Sequence, residues 1–526
     1  MNFSIRHPLN VVWIATGLLG VVFIAYSAGH MVEYQKDSKK DLNYIERITG
    51  SFQPSSGNLY GNIYCLDGKP MLKCLDLNTG DDITGKRSDC SKGILYCATQ
   101  PYFAPVIGHT FYGARPADNE EAGMLKEDGT KHILQANSLY CNAHTIRGDS
   151  IITTIVSSAQ EEAVNQLQEY ADASMAVVNA DGALLVNAGT LELKEFQNSD
   201  GGEYIANDAD APAYVLSYRN AHDVLTVGSS FKTISARVFQ QNDANFPPEW
   251  SVYNDSFDDI SSITIDGYTI SNWEINSRVN PLNYYTYFDN EVYHRQSSLA
   301  DALIHSSNTY FLRHATQMGL TEYRGQLDSI FQLYQPYDIG DRSVDGLQPI
   351  DDSTYSDILL PYGQSAVISP ARLAAAYNHA IGGKFYRPFE IAQIRTPNNE
   401  VIFSYQPEEI SEYSLDIDVK QDVLVKGLGE SFLSYIQNKN GTYHQQFNGF
   451  SPDLLGSGRL LAKSGTAVVD ASTDNRTMAI TLLNPAKDAV VCTAVIAVRR
   501  AASNQASNDE LIYKILKVLE KTGVLV

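Results

Sequence analysis

Three closely spaced apolar stretches in the C-terminal part of the chain constrain its fold more than any other feature. They are residues 459–469 (R-L-L-A-K-S-G-T-A-V-V), 477–484 (T-M-A-I-T-L-L-N) and 489–498 (A-V-V-C-T-A-V-I-A-V), and each has the composition of a β-strand. An amphipathic helix is predicted directly after them, at residues 508–520. Strands this close along the chain pair as antiparallel neighbours. With helices before and after the strands, the sequence predicts an α+β fold built on an antiparallel sheet flanked by helices.

Upstream segments add further elements to the same domain. Further strands are predicted at residues 150–156, 174–180 and 183–189. Helical periodicity predicts helices at residues 157–171, 298–318 and 370–381.

The length of 526 residues is too great for one ordinary core, so we expect more than one domain. The predicted organisation is a short cytoplasmic segment at residues 1–10, a transmembrane anchor at 11–32, an N-terminal pedestal at 33–148 and a large domain at 149–526. Short β-like runs alternate with turn sequences in the pedestal, which predicts a small β-rich unit.

The predicted anchor rests on an uncharged segment near the N-terminus. No Asp, Glu, Lys or Arg occurs between Arg6 and Glu33, and residues 11–29 are apolar enough to cross a bilayer as a helix. A cleaved signal peptide is the alternative, because residues 25–28 include small side chains. We place the large domain outside the cell, since long domains are translocated largely regardless of flanking charge.

The overall charge excludes one class of function. The formal net charge is -22 and the pI is about 4.9, with no basic stripe to offset the acidity. Such a chain repels a phosphate backbone, so we expect no nucleic acid partner.

The cysteines are concentrated in the pedestal. Five of the six lie there, at Cys65, Cys74, Cys90, Cys97 and Cys141. Their spacing lacks the C-x-x-C pairs of zinc sites, so disulfides are favoured over a metal site, and unpaired thiols remain an alternative. Cys492 is predicted to be a small buried strand residue.

Three motifs with reactive side chains follow one another along the chain. They are V-G-S-S-F-K at residues 227–232, S-S-N at 306–308 and K-S-G-T at 463–466. A serine at the start of a helix and a lysine three residues later share one face, so Lys232 can approach the Ser229 hydroxyl. Gly228 allows a tight turn into this helix. Burial and a neighbouring cation such as Lys463 favour the free amine that a lysine base needs.

Each motif alone is common, and two decoys show how context separates them. S-x-N recurs at residues 56–58 in a turn-rich segment, and K-T-G recurs at 521–523. In the second decoy a lysine in the last helical turn and a following glycine form an ordinary helix stop. Lys463 instead lies in an apolar strand that leads into two more strands, where a substrate site at a sheet edge can form.

The motifs and their surroundings resemble the class B, monofunctional penicillin-binding proteins of bacteria, in which this motif set occurs. G-N-I-Y-C-L-D-G at residues 61–68 is similar to the family segment R-G-x-I-x-D-R-N-G. Residues 151–163 and 175–188 are similar to the strands and helix that precede the nucleophile in the family. G-Q-S-A-V-I-S-P-A-R-L-A-A-A-Y at 363–377 resembles the segment G-Q-x-x-x-x-(S/T)-P-x-x-L-A.

The resemblance implies a peptidoglycan D,D-transpeptidase in which Ser229 attacks the carbonyl between two terminal D-alanines and Lys232 accepts its proton. Ser306 would relay protons to the leaving amine, and Asn308 would hold the substrate amide and Lys232. The implied carboxylate-binding residues are Lys463, Ser464, Gly465 and Thr466. The implied oxyanion hole consists of the backbone N–H groups of Ser229 and Thr466.

The resemblance also implies partners and a location. No metal or organic cofactor is required. The expected partners are peptidoglycan stem peptides, β-lactam antibiotics, the membrane, and a membrane glycan polymerase of the elongation or division machinery. The expected location is the bacterial cell membrane, with a single span and an extracytoplasmic catalytic domain.

Three positions depart from the family pattern. Val227 replaces a usual proline, Cys65 a usual aspartate, and Val468 a residue that is often acidic or an amide. The first and third affect the expected rate and specificity, and the second affects the expected fold of the pedestal. No transglycosylase-like region lies between the anchor and the pedestal, which favours a monofunctional enzyme.

Two other functions remain open. A D,D-carboxypeptidase or β-lactamase would transfer the acyl group to water, and a catalytically idle β-lactam sensor or cell-wall scaffold would not turn over. Because Ser229, Lys232, Asn308 and Lys463 are all present, the idle form is the minor alternative.

Overall fold

The computed structural model of the chain describes residues 63–76, 94–107, 110–112, 150–193, 196–197, 203–204, 215–217, 220–276, 280–339, 342–348, 351, 353–395, 399–438, 441, 443–502 and 505–525.

The strands in the first half of the chain are β1 (Ile63–Tyr64), β2 (Leu72–Asp76), β3 (Ile94–Ala98), β4 (Thr110–Tyr112), β5 (Ser150–Thr153), β6 (Ala173–Asn179), β7 (Leu184–Gly189), β8 (Leu191–Leu193), β9 (Phe196–Gln197), β10 (Glu203–Tyr204), β11 (Val215–Ser217) and β12 (Leu225–Thr226). Those that follow are β13 (Phe257–Ile260), β14 (Ser262–Ile265), β15 (Tyr268–Ser271), β16 (Tyr287–Asp289), β17 (Val292–Ser297), β18 (Tyr337–Ile339), β19 (Arg342–Val344), β20 (Val367–Ile368), β21 (Ile391–Arg395), β22 (Val401–Ser404), β23 (Leu460–Val468), β24 (Thr473–Leu483) and β25 (Val490–Ala502).

The α-helices are α1 (Ala104–Ile107), α2 (Ser157–Leu167), α3 (Lys232–Gln241), α4 (Trp273–Asn276), α5 (Leu299–Ile304), α6 (Asn308–Met318), α7 (Leu320–Phe331), α8 (Thr354–Leu359), α9 (Pro370–Gly382), α10 (Val423–Ile436), α11 (Pro452–Gly456) and α12 (Asn508–Thr522). Short 3₁₀ helices lie at Pro101–Phe103, Gly228–Phe231, Asp243–Asn245, Pro248–Trp250, Pro281–Asn283, Leu360–Tyr362, Ser411–Tyr413 and Gln446–Gly449.

A five-stranded antiparallel sheet organises the large domain. Its order is β23-β24-β25-β6-β7, so β23 is an edge strand. The three apolar stretches of the C-terminal part form β23, β24 and β25 as neighbours, and the predicted strands at 174–180 and 183–189 form β6 and β7. The predicted α+β fold with an antiparallel sheet and flanking helices is confirmed.

The two faces of this sheet pack into two different cores, because successive strand residues point to opposite sides. Met175 and Val177 of β6 belong to a core with residues of α2 and α12. Ala176 and Val178 belong to a second core with residues of α3, α6 and α9. Helices therefore cover both faces, while the outer edge of β23 remains next to the 3₁₀ helix at Gly228–Phe231.

The described part of the predicted pedestal is tied to the large domain. Strand β1 pairs in parallel with β5, and β2, β3 and β4 form a separate three-stranded sheet. Ile63 and Phe103 are fully buried in the same core as α2. The predicted domain boundaries at residues 33, 148 and 149 stay predictions.

Two cysteines can be placed, and one of them corrects an expectation. Cys65 is a buried free thiol, so the disulfide prediction is wrong for this residue. Burial raises the pKa of the Cys65 thiol to about 12. Cys492 is free and fully buried in β25, which confirms its prediction as a strand residue. The side chains of the other four cysteines lie outside the described residues.

The predicted cytoplasmic segment and anchor, residues 1–32, also lie outside the described residues. Within the part of the chain that the structure describes, no helix combines the length and the hydropathy needed to cross a membrane.

The predicted helix at residues 298–318 is wrong in one respect, because two helices occupy this segment. Helix α5 begins with a capping box in which Ser298 and Asp301 exchange hydrogen bonds. Helix α6 begins after Ser307, whose side chain accepts a hydrogen bond from the Tyr310 N–H. Between them Ser306 has a φ of 53°, a left-handed conformation that interrupts the helix.

Candidate active site

The first motif enters the site through a tight turn at Gly228. Its φ is 57°, and a Cβ atom there would lie 2.4 Å from the backbone oxygen of Thr466. Glycine is therefore needed both for the conformation and for the close approach to β23. The turn places Ser229 in the 3₁₀ helix that leads into α3, beside the third motif.

Lys232 lies at the centre of the site, with no exposed surface. Its Nζ is 3.0 Å from Ser229 Oγ, 2.6 Å from the Ser306 backbone oxygen and 2.8 Å from Asn308 Oδ1. The carbonyl and the amide oxygen can only accept hydrogen bonds, and in the neutral form of the amine they would take its two N–H groups. The remaining lone pair is then available to the Ser229 hydroxyl, as a base requires.

The second motif joins the first to the third. The Ser306 hydroxyl is 3.2 Å from Lys232 Nζ and accepts a hydrogen bond from Lys463 Nζ at 3.1 Å. It therefore lies between two buried lysine side chains. A hydroxyl in this position can pass a proton from one amine toward a substrate atom, since it both donates and accepts.

Lys463 acts electrostatically on Lys232. Burial is the main cause that lowers the pKa of Lys232 well below the ordinary lysine value, and the positive charge of Lys463 lowers it further. The carboxylates of Glu274 and Asp259 act in the opposite direction on that pKa. Burial also lowers the pKa of Lys463. The site thus favours the free amine of Lys232.

The third motif packs against the first through Gly465. A Cβ atom at this position would lie 2.1 Å from the Val227 backbone oxygen and 2.2 Å from Thr477 Oγ1. The same Val227 oxygen accepts hydrogen bonds from the Thr477 hydroxyl at 2.7 Å and the Ser230 hydroxyl at 2.8 Å. Strand β23 and the serine segment therefore form one rigid wall.

The remaining side chains of the third motif have polar partners. The Ser464 hydroxyl is 2.8 Å from the Tyr435 hydroxyl, and Thr466 Oγ1 accepts a hydrogen bond from Arg476 at 3.1 Å. Burial alone would raise the pKa of Tyr435, but the positive charge of the nearby Lys463 and the hydrogen bonding with Ser464 outweigh it and lower that pKa. This end of β23 presents hydroxyls and the ammonium group of Lys463, which suit an anionic group, whereas Arg476 on β24 pairs with Asp474 at 2.9 Å.

A buried polar network supports the second motif from behind. The Asn272 side-chain oxygen accepts hydrogen bonds from the backbone N–H groups of Asn308 at 2.6 Å and Thr309 at 3.1 Å. The Ser307 hydroxyl donates to Asp259 at 3.0 Å, and the Thr309 hydroxyl donates to the same carboxylate at 2.8 Å. These bonds hold the first turn of α6 in place.

An ion cluster adjoins that network. Arg295 donates to Asp259 at 2.8 Å and to Glu274 at 3.2 Å, and all three side chains are buried. Burial raises the pKa of Glu274. The cluster supplies the negative charge that partly offsets the effect of Lys463 on Lys232.

Several residues at the site were not found by sequence reasoning. Gln364 donates from Nε2 to the Thr466 backbone oxygen at 2.6 Å, and its Oε1 lies 3.4 Å from the Val468 N–H. Gln364 belongs to the G-Q segment noted in the sequence, so a signal for it existed. Asn272, Tyr435 and Arg476 stand in no comparable motif.

The structure shows where two departures from the family pattern, Val227 and Val468, and the K-T-G decoy lie. Val227 is buried beside β23, whereas Val468 is 73% exposed at the end of that strand. Lys521 lies in the last turn of α12, and Gly523 caps this helix with a φ of 77°. The K-T-G at residues 521–523 is therefore the helix stop that its context predicts. The decoy at residues 56–58 lies outside the described residues.

The sequence of the chain matches one protein family over much of the large domain. Residues 261–517 match the sequence model of the penicillin binding protein transpeptidase domain. This stretch contains Ser306, Asn308 and Lys463, and it begins after Ser229 and Lys232, whose place in the site rests on the contacts described above. No curated protein matches the chain at a significant level.

Solved structures share the fold over most of the chain. The D,D-transpeptidase domain of a peptidoglycan glycosyltransferase from Eggerthella lenta has a TM-score of 0.57 and 17% identity, covering 89% of this chain and 98% of that one. Penicillin-binding protein 3 from Mycobacterium tuberculosis has a TM-score of 0.58 and 14% identity, covering 89% and 97%. Penicillin-binding protein A from the same species, solved as a ceftriaxone acyl-enzyme complex, has a TM-score of 0.56 and 16% identity, covering 88% and 98%. At these identities the likeness shows the fold. Residues 261–517 are therefore identified as a penicillin binding protein transpeptidase domain, and the fold that the chain shares with these structures agrees with that match.

Proposed function

We propose that this chain is a peptidoglycan D,D-transpeptidase that cross-links stem peptides through an acyl-enzyme at Ser229. The observation that carries the proposal is the position of Lys232 Nζ, which lies 3.0 Å from Ser229 Oγ while Asn308 and the Ser306 carbonyl occupy its other side. The family indicates a serine acyltransferase, and this geometry supports Ser229 as the acyl acceptor.

In the acylation step, Ser229 Oγ attacks the carbonyl carbon between the two terminal D-alanines, and its proton passes to Lys232 Nζ. A C–O bond forms as the C–N bond breaks. The leaving amine takes a proton through the Ser306 hydroxyl, and D-alanine departs. The backbone N–H groups of Ser229 and Thr466 donate hydrogen bonds to the developing oxyanion. Each donor stabilises the transition state by about 3 kcal/mol.

In the deacylation step, the amine of a neighbouring stem peptide attacks the ester carbonyl and loses a proton to the lysine pair. The new amide bond forms as the ester C–O bond breaks, and Ser229 recovers its proton. Substrate orientation comes from the third motif: Lys463, Ser464, Gly465 and Thr466 face the terminal carboxylate. The positive charge of Lys463 and the hydroxyls of Ser464 and Thr466 support this role for the end of β23.

The proposal includes inhibition and location. β-Lactams would acylate Ser229 in the same way, since their strained amide resembles the scissile bond in shape and reactivity. We place the enzyme at the outer face of the bacterial cell membrane, held by a single span at residues 11–32 and working with a membrane glycan polymerase of the elongation or division machinery. The apolar sequence of that span supports this location.

Acylation is tested on the full-length protein with a fluorescent penicillin and mass spectrometry. We expect a single covalent adduct on the peptide that contains Ser229, and no adduct in Ser229→Ala. The matched control is Ser256→Ala, which changes an exposed serine distant in sequence from the motifs and leaves labelling intact. An adduct that persists in Ser229→Ala rejects the assignment.

Turnover is tested separately with a peptide that ends in D-Ala-D-Ala, with and without an amine acceptor. We expect a cross-linked product and released D-alanine when the acceptor is present. Hydrolysis without an acceptor product would instead identify a carboxypeptidase. Labelling without any turnover would identify an idle β-lactam sensor or scaffold.

A further inference from the structure

A cleft away from the three motifs lies beside the first half of α9. The space between its walls, together with the solvent at its open mouth, is about 350 Å³, and Phe331, Leu333, Tyr337, Phe385 and Pro388 form apolar walls. None of the side chains of the three motifs lines it.

One buried arginine faces this cleft and has no carboxylate within ion-pair distance among the described residues. Arg237, Arg295 and Arg372 are each at most 7% exposed. Arg237 pairs with Asp422 at 2.6 Å, and Arg295 pairs with Asp259 at 2.8 Å.

Arg372 differs from the other two, because no carboxylate among the described residues lies within ion-pair distance of it. Its guanidinium donates to the Gln332 backbone oxygen and lies 5.0 Å from the centroid of the Tyr337 ring. The nearby carboxylate of Asp328 accepts instead from the Tyr334 N–H and from Gln335. Burying a charge without a partner is costly, so an anion is the missing element.

A second arginine lines the same cleft. Arg387 is exposed and donates to the Gln332 side-chain oxygen at 3.2 Å. Gln332 is in the left-handed conformation at the end of α7, so its backbone oxygen binds Arg372 and its side chain binds Arg387. Burial is the main cause that lowers the pKa of Arg372, and the positive charge of the nearby Arg387 lowers it further.

We propose that this cleft binds the carboxylate of a small organic acid, with the acid's hydrocarbon part against the aromatic walls. Two guanidinium groups bind a carboxylate by charge-assisted hydrogen bonds. Apolar walls favour such a ligand over inorganic phosphate, which has no hydrocarbon part to bury.

Helix α9 connects the cleft to the serine segment. Arg372, Ala375 and Ala376 share the helix face that lines the cleft. The next residue, Tyr377, accepts a hydrogen bond from the Thr233 hydroxyl at 2.9 Å and donates to the Ser230 backbone oxygen. A ligand in the cleft therefore contacts the helix that supports the backbone next to Ser229.

The test measures the binding of sodium benzoate to the full-length protein by isothermal titration calorimetry. The protein is first acylated with penicillin, so that the site at Ser229 is blocked. We expect saturable binding of benzoate, weaker binding of inorganic phosphate and no binding of benzamide, which lacks the charge. Equal binding of benzoate and benzamide overturns the proposal, and phosphate binding as tight as that of benzoate overturns the assignment to an organic acid.

Variants locate the binding. Arg387→Gln, at an exposed position, is expected to weaken benzoate binding roughly tenfold, the effect of losing one charge-assisted contact. Arg372→Gln is expected to abolish it, with folding checked by thermal melting. Lys384→Gln removes a nearby exposed cation that pairs with Glu409 and should leave binding unchanged. Benzoate affinity that is the same in Arg387→Gln and the unchanged protein rejects the site. The outcome does not depend on transpeptidation, because the two arginine variants locate the binding in the cleft whether or not Ser229 is acylated.

Discussion

The side-chain oxygen of Asn272 accepts a hydrogen bond from the backbone N–H of Asn308 at 2.6 Å. Asn272 is fully buried, and its amide nitrogen donates to the Tyr285 hydroxyl and the Thr309 hydroxyl. Asn308 in turn accepts from Lys232 at 2.8 Å. One amide thus holds the residue that orients the proposed base.

Substituting Asn272 should slow acylation. In Asn272→Ala the backbone N–H groups of Asn308 and Thr309 lose their acceptor, which costs about 1–3 kcal/mol of stability. Asn308 is then no longer held in hydrogen-bond contact with Lys232. We expect penicillin labelling to slow by roughly tenfold or more, the rate equivalent of about 1.4 kcal/mol. The exposed Asn245→Ala is the control and should label at the normal rate. A normal labelling rate in Asn272→Ala contradicts this role.

The pH dependence of acylation should reflect the lowered pKa of Lys232. A lysine base acts as the free amine, so the rate rises as the pH rises through that pKa. Because burial and then Lys463 lower the pKa, the rising limb should lie well below the ordinary lysine range. The measurement is the second-order rate constant of penicillin acylation against pH.

Removing the positive charge of Lys463 should shift the rising limb of the pH–rate profile. Lys463→Gln eliminates a positive charge that disfavours protonation of Lys232, so the pKa of Lys232 rises and the limb shifts to higher pH. The rate also falls at every pH if Lys463 binds the carboxylate, but the position of the limb is a separate quantity. Lys384→Gln, which removes an exposed ammonium, should leave the limb in place. A shift of the limb to lower pH in Lys463→Gln contradicts the electrostatic argument.

Gly465 should not tolerate a side chain. In Gly465→Ala the Cβ atom would meet the Val227 backbone oxygen at 2.1 Å, so β23 must separate from the serine segment. We expect loss of penicillin labelling together with a lower melting temperature. Gly429→Ala is the matched control, because its Cβ would meet only Leu461 at 3.6 Å and α10 should gain about 1 kcal/mol from the better helix former. A fully active Gly465→Ala protein would show that the contact between β23 and the serine segment is not rigid.

Gln364 should maintain the shape of β23 next to the proposed oxyanion hole. Its side-chain amide donates a hydrogen bond to the Thr466 backbone oxygen at 2.6 Å. Gln364→Ala removes this hydrogen bond from the edge strand β23. We expect slower acylation with little change in melting temperature, since Gln364 is only partly buried. The exposed Gln421→Ala serves as the control. Equal labelling rates in the two variants would remove Gln364 from the site.

Sequence reasoning predicted the strands of the central sheet because apolar alternation and β-branched residues are local signals. Strands β23, β24 and β25 lie within a residue or two of their predicted limits at most ends, although β24 begins and β25 ends four residues beyond theirs. The same reasoning missed the interruption near Ser306. Helical periodicity continues across that break, and only the N-terminal cap at Ser307 marks the start of a new helix.

The support residues could not be predicted in the same way. Asn272 lies 36 residues from Asn308 along the chain, and Tyr435 lies 29 residues from Ser464. A single asparagine or tyrosine at such a separation has no spacing rule that links it to a motif. Cys65 was misjudged because the crowding of cysteines suggested pairing, whereas a free thiol is also a small apolar side chain that fits a core.

The amino-acid sequence by itself determined the three motifs, the strand pattern and the glycine that the turn before Ser229 requires, since each depends on residues close together in the chain. Only the tertiary structure decided that Lys232, Ser306 and Lys463 share one buried space. Their mutual distances depend on how the edge of the sheet packs against the interrupted helix, and burial at that contact is what lowers the pKa values of both lysines.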